Sequence, residues 1–343
     1  MGNTSLKRAK DLKDDEFYTN YEDIKKELVN YAKYFKGKVI YCNCDDHYGI
    51  GLGTPKSNFI KYLADNFEAF KIKKVIATHY EKDQETSTMY ILDKDNTGDG
   101  VICWEDIEEI PMRGKGDFRS PECVELLKQA DIVITNPPFS LFREYVAQLM
   151  EYKKKFLIIG NDNCRTYKEV FPLIKENKFW CGLNHVKQFY KPDGTTKNFG
   201  NVSWYTNLEN SKRNEIINTG KKYYGFEEMY PHYDNYDAIN VDKVSDIPMD
   251  YDGIMGVPIT FLDKYNPEQF EITGITKTWF GGASKIYPRQ IQVDKNGKRK
   301  DVTKLNDGAT LEIKSSVDNQ TYYEVNGKKY VQLYARILIK RRK

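Results

Sequence analysis

Long apolar runs and secretion signals are missing from this sequence. No stretch approaches the roughly 20 apolar residues that a membrane-spanning helix needs. The charged N-terminus, with Lys7, Arg8 and Lys10, lacks the apolar core of a signal peptide. The six cysteines are scattered and form no C-x-x-C pair, which favours reduced thiols over a disulfide framework. We therefore expect a cytoplasmic protein, and no metal site is predicted.

A strong net charge is also absent. The 53 Lys and Arg residues against 50 Asp and Glu residues give a formal charge of +3, which permits an anionic partner without requiring one. A nucleic-acid interface must therefore be a local feature. Basic clusters at 221–222, 298–300 and 340–343 are candidates for phosphate contacts, although each alone is more typical of a solvated surface.

Strands alternate with helices up to about residue 180. The predicted strands cover 39–44, 74–78, 131–135 and 156–159, and the predicted helices cover 59–70, 121–129, 142–152 and 167–177. This alternation indicates βαβ units and a mostly parallel sheet, an α/β fold. Such sheets bind ligands at the carboxyl ends of their strands.

An insertion at about 80–115 interrupts the alternation. Its segment Asp93–Gly100 is similar to a calcium loop, but Trp104 stands where a bidentate Glu is needed. The turn chemistry instead favours a hairpin that joins Met89–Leu92 to Val101–Trp104.

Beyond residue 200 the helical pattern fades. Asn326-Gly327 between apolar runs at 322–325 and 330–339 predicts a two-residue hairpin. With 343 residues, the chain is long enough for two modest domains. We predict one domain over 13–210 and a separate β-rich region over 211–343.

The tetrapeptide Asn136-Pro137-Pro138-Phe139 follows the apolar run at 132–135. An exocyclic amine is a poor nucleophile, because its lone pair is delocalised into the ring. Methyl transfer to it therefore needs hydrogen-bond acceptors of the kind that this tetrapeptide supplies. The Asn136 side-chain oxygen and the Pro137 carbonyl could accept hydrogen bonds from the two N–H groups of the amine. These bonds would favour a pyramidal nitrogen. The prolines hold that carbonyl rigidly, and Phe139 offers a stacking face. The alternative is a strand end with a simple proline turn.

Three further segments are candidates for a cofactor site. The first predicted strand leads into Asp45 and a glycine-rich stretch with Gly49, Gly51 and Gly53, which is weak evidence because it matches no dinucleotide or phosphate-loop pattern. Gly116-Asp117-Phe118-Arg119 could hold an adenine ring, or could be an ordinary helix start. The third candidate is Asp15–Thr19, for which the alternative is an exposed segment that leads into a helix.

Several segments occur in the order found in one known family. They are Asp15-Glu16-Phe17-Tyr18-Thr19, Tyr41-Cys42-Asn43-Cys44-Asp45-Asp46, Ser57-Asn58-Phe59, Gly116-Asp117-Phe118-Arg119-Ser120, 136–145, 233–240, 255–262 and 266–270. Together they resemble the EcoRI-type adenine-specific DNA methyltransferases over nearly the whole chain.

The resemblance implies a class I, Rossmann-like α/β fold with a mostly parallel sheet and helices on both faces. It also implies S-adenosylmethionine as methyl donor and adenine N6 in double-stranded DNA as acceptor, usually in a restriction–modification system. By position, the methionine end of the cofactor is expected at Phe17, Tyr18 and Thr19, with Asp45 beneath it. Its adenine is expected at Asp117 and Phe118, and the target base at Asn136, Pro137 and Phe139.

A base inside a duplex is out of reach, so the target adenine must be flipped out of the helix. Phe189 is the predicted second stacking partner, with an exposed loop aromatic as the alternative. Residues 211–343 are expected to recognise the DNA target, and the chain is expected to act as a monomer. Two segments depart from the family pattern: the longer glycine-rich loop at 47–56 and the divergent segment 275–330.

Other substrates stay open on the motif alone. RNA adenine carries the same amino group, and methylation of a protein glutamine also uses an Asn-Pro-Pro loop, usually with Tyr at the position of Phe139. A catalytically silent DNA-binding partner would be expected to lack Asn136 or the cofactor residues, which this sequence retains.

Overall fold

The protein is described by a computed structural model that covers residues 18–44, 57–81, 84–191, 195–313 and 320–342. It is a mixed α/β protein with two compact units. Unit 1 comprises Met1–Val170 and Lys178–Asn210, and unit 2 comprises Phe171–Asn177 and Ser211–Lys343. None of the helices in these described ranges is long and apolar enough to cross a membrane.

Unit 1 contains eleven of the described strands. They are β1 (Tyr18–Thr19), β2 (Val39–Cys42), β3 (Lys74–Thr78), β4 (Thr88–Leu92), β5 (Glu108–Pro111), β6 (Ile132–Thr135), β7 (Lys155–Asn161), β8 (Trp180–His185), β9 (Gln188–Tyr190), β10 (Thr196–Asn198) and β11 (Val202–Thr206). Its described α-helices are α1 (Tyr21–Leu28), α2 (Asn58–Asp65), α3 (Phe67–Phe70), α4 (Pro121–Gln129) and α5 (Phe142–Glu151).

An eight-stranded sheet with the order β5-β4-β3-β2-β6-β7-β11-β8 is the centre of unit 1. Strands β3, β2, β6 and β7 pair in parallel, whereas β4, β5 and β11 add antiparallel pairings at the two sides. The sheet is therefore partly parallel, which is the coarse form of the predicted α/β arrangement. A separate small sheet has the order β1-β9-β10.

The central strands of the sheet are apolar and are covered on both faces by side chains from other elements. All four residues of β6 are buried, and so are five of the seven in β7, as expected of parallel strands buried on both sides. One face packs on α1 and α2, where Ile134 joins a core with Leu28 and Leu63. On the other face, the ring of Tyr205 lies 6.3 Å from that of Phe142 in α5.

The hairpin predicted in the insertion exists with a different second strand. Strand β4 pairs with β5, so the prediction that it pairs with Val101–Trp104 is wrong. The physical reason is the Asp106 carboxylate, which accepts hydrogen bonds from the backbone N–H groups of Asn96, Thr97 and Cys103. These bonds hold residues 96–106 as a compact loop that ends in the 3-10 turn Trp104–Asp106.

Helix α1 is attached to the edge strand β8 through one buried carboxylate. The Glu27 side chain, fully buried, accepts hydrogen bonds from the backbone N–H groups of Leu183 at 2.8 Å and Asn184 at 2.9 Å. Gly182 makes room for it, since a Cβ there would lie 2.3 Å from Glu27 Oε1. Burial raises the pKa of Glu27 above its usual value despite these hydrogen bonds.

We predict that Glu27→Ala lowers the free energy of unfolding of unit 1. The change leaves the N–H groups of Leu183 and Asn184 without their acceptor, which costs about 1–3 kcal/mol for each buried unpaired group. Urea denaturation monitored by circular dichroism measures the loss of free energy of unfolding. Glu22→Ala is the control, because Glu22 lies in the same helix with its side chain 74% exposed. Equal stability of the two variants would contradict the role assigned to Glu27.

Unit 2 is richer in strands and contains the short helix α6 (Phe171–Lys175). Its described strands are β12 (Ile239–Asn240), β13 (Met255–Pro258), β14 (Phe270–Ile275), β15 (Gln290–Val293), β16 (Arg299–Val302), β17 (Thr310–Glu312), β18 (Tyr322–Val325), β19 (Lys328–Gln332) and β20 (Arg336–Arg341). They form a four-stranded sheet, β12-β13-β20-β14, and a five-stranded sheet, β16-β15-β18-β19-β17.

The two-residue turn predicted at Asn326-Gly327 is confirmed. Both residues have positive φ angles, 49° and 80°, and they join β18 to β19 in antiparallel pairing. The predicted second strand over 330–339 is instead two strands, because β19 ends at Gln332 and β20 belongs to the other sheet.

Candidate active site

The Asn-Pro-Pro-Phe loop lies at the carboxyl end of β6, in the middle of the central sheet. Pro137 is buried, Asn136 and Phe139 are partly exposed, and Pro138 is extended with φ −60° and ψ 125°. A 3-10 turn, Phe139–Leu141, then leads directly into α5. The backbone N–H of Cys44 donates to Thr135 Oγ1 at 3.3 Å, so the ends of β2 and β6 lie side by side. The three predicted catalytic residues therefore share one rigid loop.

Phe139 has an aromatic neighbour that no sequence motif indicated. Its ring centroid lies 6.5 Å from that of Phe199, at an angle of 80°. Phe199 in turn contacts Phe189 edge to face at 5.4 Å. Phe199 is partly exposed, whereas Phe189 is 0% exposed.

This position does not support Phe189 as a stacking face for the target base. Phe189 lies in β9, between β1 and β10, and its ring is part of the hydrophobic core. A ring without exposed surface has no face to offer to a ligand. The alternation of Gln188, Phe189 and Tyr190 along a strand was the available signal, because alternate residues of a half-covered strand point inward.

The Gly116–Arg119 loop packs tightly against the end of β3. Gly116 has a φ of +76°, and a Cβ there would lie 1.9 Å from the carbonyl oxygen of His79. Only glycine allows this approach. The loop thereby places Asp117 and Phe118 at the carboxyl side of the sheet, with Asp117 partly exposed and Phe118 5% exposed.

Asp117 is engaged by Arg119. The Asp117 carboxylate accepts from Arg119 Nε at 2.9 Å and Nη2 at 2.7 Å, and Arg119 Nη1 donates to Glu144 at 2.9 Å. These hydrogen bonds hold the pKa of Asp117 below its usual value. The guanidinium also lies 5.3 Å from the centre of the Phe118 ring. Arg119 thus covers the two groups predicted to hold an adenine.

Tyr145 connects the helix after the catalytic loop to both neighbouring segments. Its hydroxyl donates to Asn43 Oδ1 at the end of β2, and its ring contacts Phe118 at 5.1 Å and 73°. Gln148, one turn further, donates to the Phe118 carbonyl at 3.1 Å. Burial raises the pKa of Tyr145 well above its usual value, so the hydroxyl stays protonated. The apolar periodicity that predicts the helix over 142–152 does not indicate this role for Tyr145.

Buried polar atoms collect near the predicted methionine end of the cofactor. Thr19 Oγ1, Asn43 Nδ2 and Asn58 Oδ1 have no hydrogen-bond partner among the residues that the structure describes. Asn58 Nδ2 donates to the Thr19 carbonyl at 2.8 Å, which holds two of the three residues together. Leaving a buried polar atom unpaired costs about 1–3 kcal/mol, so a polar ligand would stabilise this arrangement. Phe17, Asp45 and Gly49–Gly53 lie outside the described residues.

A partly parallel α/β sheet with an Asn-Pro-Pro-Phe loop at its central strand is the arrangement expected of an amino-group methyltransferase. The family model described as "Adenine-specific methyltransferase EcoRI" matches residues 5–342. The chain belongs to this family and is an adenine-specific DNA methyltransferase. The resemblance drawn from the sequence motifs is thereby confirmed.

Three curated relatives show the same similarity. Type II methyltransferase M.EcoRI of Escherichia coli is 47% identical over 303 residues, which cover 80% of this chain and 90% of the relative. M.MpnI of Mycoplasma pneumoniae is 39% identical over 284 residues, with 77% and 83% covered. M.MgeORF184P of Mycoplasma genitalium is 38% identical over 284 residues, with 77% and 84% covered. No solved structure matches the chain.

We predict that Tyr145→Phe weakens binding of S-adenosylmethionine roughly tenfold, equivalent to about 1.4 kcal/mol. The change keeps the ring against Phe118 but removes the donor that orients the Asn43 amide. Tyr31→Phe is the control, because Tyr31 is also fully buried and its hydroxyl bonds Glu27 at 3.1 Å, away from the loop.

Calorimetric titration gives the affinity, and thermal unfolding gives the stability. We expect both variants to lose similar stability, and only Tyr145→Phe to lose affinity. An equal loss of affinity in the two variants would mean that Tyr145 acts through general stability alone.

Proposed function

We propose that this protein transfers a methyl group from S-adenosylmethionine to the N6 amino group of adenine in double-stranded DNA, after the base is flipped out. We further propose that it is the modification enzyme of a restriction–modification system. The rigid Asn136-Pro137-Pro138-Phe139 loop at the end of β6 is the observation that carries the proposal. The names of the three relatives, all type II methyltransferases, support it.

The proposed fold of unit 1 is that of a class I, Rossmann-like methyltransferase with helices on both faces of the sheet. Two observations support this assignment. The four parallel strands β3, β2, β6 and β7 are adjacent, and α2 and α5 contact opposite faces of the sheet.

Asn136 and Pro137 would act on the target amine by hydrogen bonding. The Asn136 side-chain oxygen and the Pro137 carbonyl oxygen accept hydrogen bonds from the two N–H groups of the amine. These hydrogen bonds favour a pyramidal nitrogen whose lone pair is directed at the methyl donor. Because these acceptors are fixed before the reaction, they need no reorganisation as charge develops. The prolines supply the rigidity, since each ring fixes its own φ.

The flipped base would be held by stacking on Phe139. We propose Phe199 as the second aromatic of this pocket in place of Phe189, because its ring is partly exposed and adjacent to Phe139. Stacking of a base on an aromatic ring contributes about 1–3 kcal/mol, which offsets part of the cost of flipping.

The residues around the site fit S-adenosylmethionine, which supplies the electrophilic methyl group. Thr19, Asn43 and Asn58 carry buried polar atoms suited to the cofactor's charged methionine end. Asp117 is an acceptor for the adenine amino group, and Phe118 lies beside it. To serve the cofactor, Asp117 must exchange part of its bonding to Arg119, and Glu144 offers Arg119 a second partner. As the family resemblance implies, Phe17 and Tyr18 are proposed at the methionine end of the cofactor, with Asp45 beneath it.

Residues 211–343, most of unit 2, are proposed to recognise the DNA target. RNA adenine is disfavoured as a substrate by the family match, and protein glutamine is disfavoured both by that match and by Phe at position 139. A catalytically silent DNA-binding role is disfavoured because Asn136, Pro137 and Asp117 are all present.

We predict that Asn136→Ala slows methyl transfer on the order of a hundred- to thousand-fold, because one preorganised acceptor is lost. Single-turnover rates measure this, with cofactor and DNA affinities nearly unchanged. Phe139→Ala is the contrasting variant: it removes a stacking face, so its defect should also appear as a smaller 2-aminopurine fluorescence change on base flipping.

Single-molecule sequencing of DNA from cells that express the protein tests the activity itself. Methylated adenine at one fixed sequence is expected with the unaltered protein and not with Asn136→Ala. Unmodified DNA in both cultures would refute the proposed function.

We predict that Asp117→Ala weakens binding of S-adenosylmethionine by about 1–3 kcal/mol, because the amino group of the cofactor's adenine is then buried without its acceptor. Glu125→Ala is the control, because Glu125 lies in α4, which follows this loop, and its carboxylate pairs with Lys128 on the exposed surface. Calorimetry that finds unchanged affinity in Asp117→Ala would remove this residue from the cofactor site.

A further inference from the structure

Residues 277–335 are inserted between two adjacent strands of unit 2. Strands β14 and β20 pair antiparallel, with Ile275 opposite Ile337. Just beyond them, the backbone N–H of Thr276 donates to the Arg336 carbonyl at 3.0 Å, and the N–H of Arg336 donates to Thr276 Oγ1 at 2.9 Å. The chain therefore leaves the four-stranded sheet and returns at the same place. We call residues 277–335 the inserted module.

The inserted module has its own small core and a firm attachment within unit 2. Its core consists of Tyr287, Leu305, Tyr323, Val325 and Tyr330, which lie in or beside the five-stranded sheet. The attachment is fully buried Asn235, whose side chain accepts from the Thr310 N–H at 2.9 Å and donates to the Gly308 carbonyl at 2.9 Å. The module is therefore a fixed part of unit 2.

This module is one of two parts of the sequence that carry a concentrated positive charge, the other being residues 336–343. Residues 277–335 contain eleven Lys and Arg against six Asp and Glu, a net charge of +5. The whole chain carries only +3, so the remainder is net negative. The module is thus one local basic feature of the kind that DNA binding requires of a nearly neutral protein.

Ion pairs within the unit neutralise several of these cations. Five are paired with carboxylates, namely Lys277–Asp307, Lys285–Asp234, Arg289–Asp301, Arg299–Glu324 and Lys328–Glu312. Lys295, Lys298 and Lys300 are exposed, and no carboxylate in the described ranges forms an ion pair with them. The same holds for Lys304 and Lys329, but these two lie outside the hairpin of β15 and β16 that carries the other three. These three lysines are available to a partner outside the chain.

The three lysines are displayed by one ordered hairpin. Strands β15 and β16 are joined by a turn in which the Asp294 carboxylate accepts from the N–H groups of Asn296 and Lys298, and Gly297 has a φ of +80°. Strand β16 is an edge of the five-stranded sheet. Lys300 lies in β16, and Lys298 lies in the turn just before it, where its carbonyl accepts from the Asp294 N–H at 3.0 Å. A β-hairpin is narrow enough to approach a groove of B-DNA.

We propose that the inserted module binds the phosphate backbone of duplex DNA through Lys295, Lys298 and Lys300. This inference rests on the proposed function, which makes DNA the substrate, and adds the surface that anchors it. Neutralising phosphates releases condensed counterions, so the contribution of each lysine is measurable as salt dependence. An edge strand can also carry lysines merely to prevent sheet-to-sheet association, and that role predicts no change in salt dependence.

The test compares two triple variants of the full chain. The first is Lys295→Gln, Lys298→Gln and Lys300→Gln. The control is Lys36→Gln, Lys73→Gln and Lys153→Gln, three exposed lysines that precede β2, β3 and β7. The control lysines lie at the amino ends of parallel strands, opposite the catalytic loop. Both variants lose the same charge.

The probe is a fluorescein-labelled duplex oligonucleotide, and its affinity is measured by anisotropy over a series of KCl concentrations. We expect the slope of log K against log[KCl] to become shallower by about 0.9 for each phosphate that is no longer neutralised, roughly 2–3 in total for the module variant. The control should keep the slope of the unaltered protein. Melting temperature and affinity for S-adenosylmethionine should be the same in both variants.

An unchanged slope in the module variant overturns the inference, and so does an equal change in the control, which would show a general charge effect. These results are distinguishable from failure of the proposed function. If the unaltered protein methylates adenine in duplex DNA while the module variant binds with an unaltered slope, only the inference is wrong.

Discussion

The fixed geometry of the chain where β6 ends is the constraint on which the rest of the site depends. A planar amine becomes a nucleophile only if both of its hydrogens meet acceptors at set positions, and flexible acceptors would lose that advantage to entropy. Two consecutive prolines remove the φ freedom of that segment, and the buried strand before them anchors it. Position in the sheet matters equally, because a central parallel strand is held by neighbours on both sides.

Helix α5 extends this rigidity to the rest of the site. It begins where the catalytic loop ends, and two of its side chains, Tyr145 and Gln148, reach the end of β2 and the backbone of Phe118. A shift of the helix would therefore move the target-base loop and the cofactor segments together. Arg119 adds an electrostatic tie to the same helix through Glu144. Catalytic positioning in this protein is thus a property of a connected group of elements.

Local patterns predicted the parts of the structure that depend on neighbouring residues in sequence. The parallel strands, the helix after the catalytic loop and the turn at Asn326-Gly327 follow from apolar periodicity and from turn chemistry. The second strand of the insertion was misplaced because Asp106 captures backbone groups ten residues away. Phe189 was misjudged because its burial depends on strands β1 and β10. The contacts Tyr145–Asn43 and Arg119–Glu144 join residues distant in sequence, and no local pattern contains them.

The pairing of β14 with β20 also has a consequence for how unit 2 folds. Bringing these strands together across the inserted module closes a long loop, and chain entropy alone opposes that step by roughly 3–4 kcal/mol. Long-range strand pairings of this kind slow folding, because the closure cost precedes the stabilising contacts. Two hairpins of the five-stranded sheet, β15–β16 and β18–β19, are local in sequence, so forming them first shortens the effective loop. An order in which the local hairpins form before the four-stranded sheet closes is therefore the less costly route.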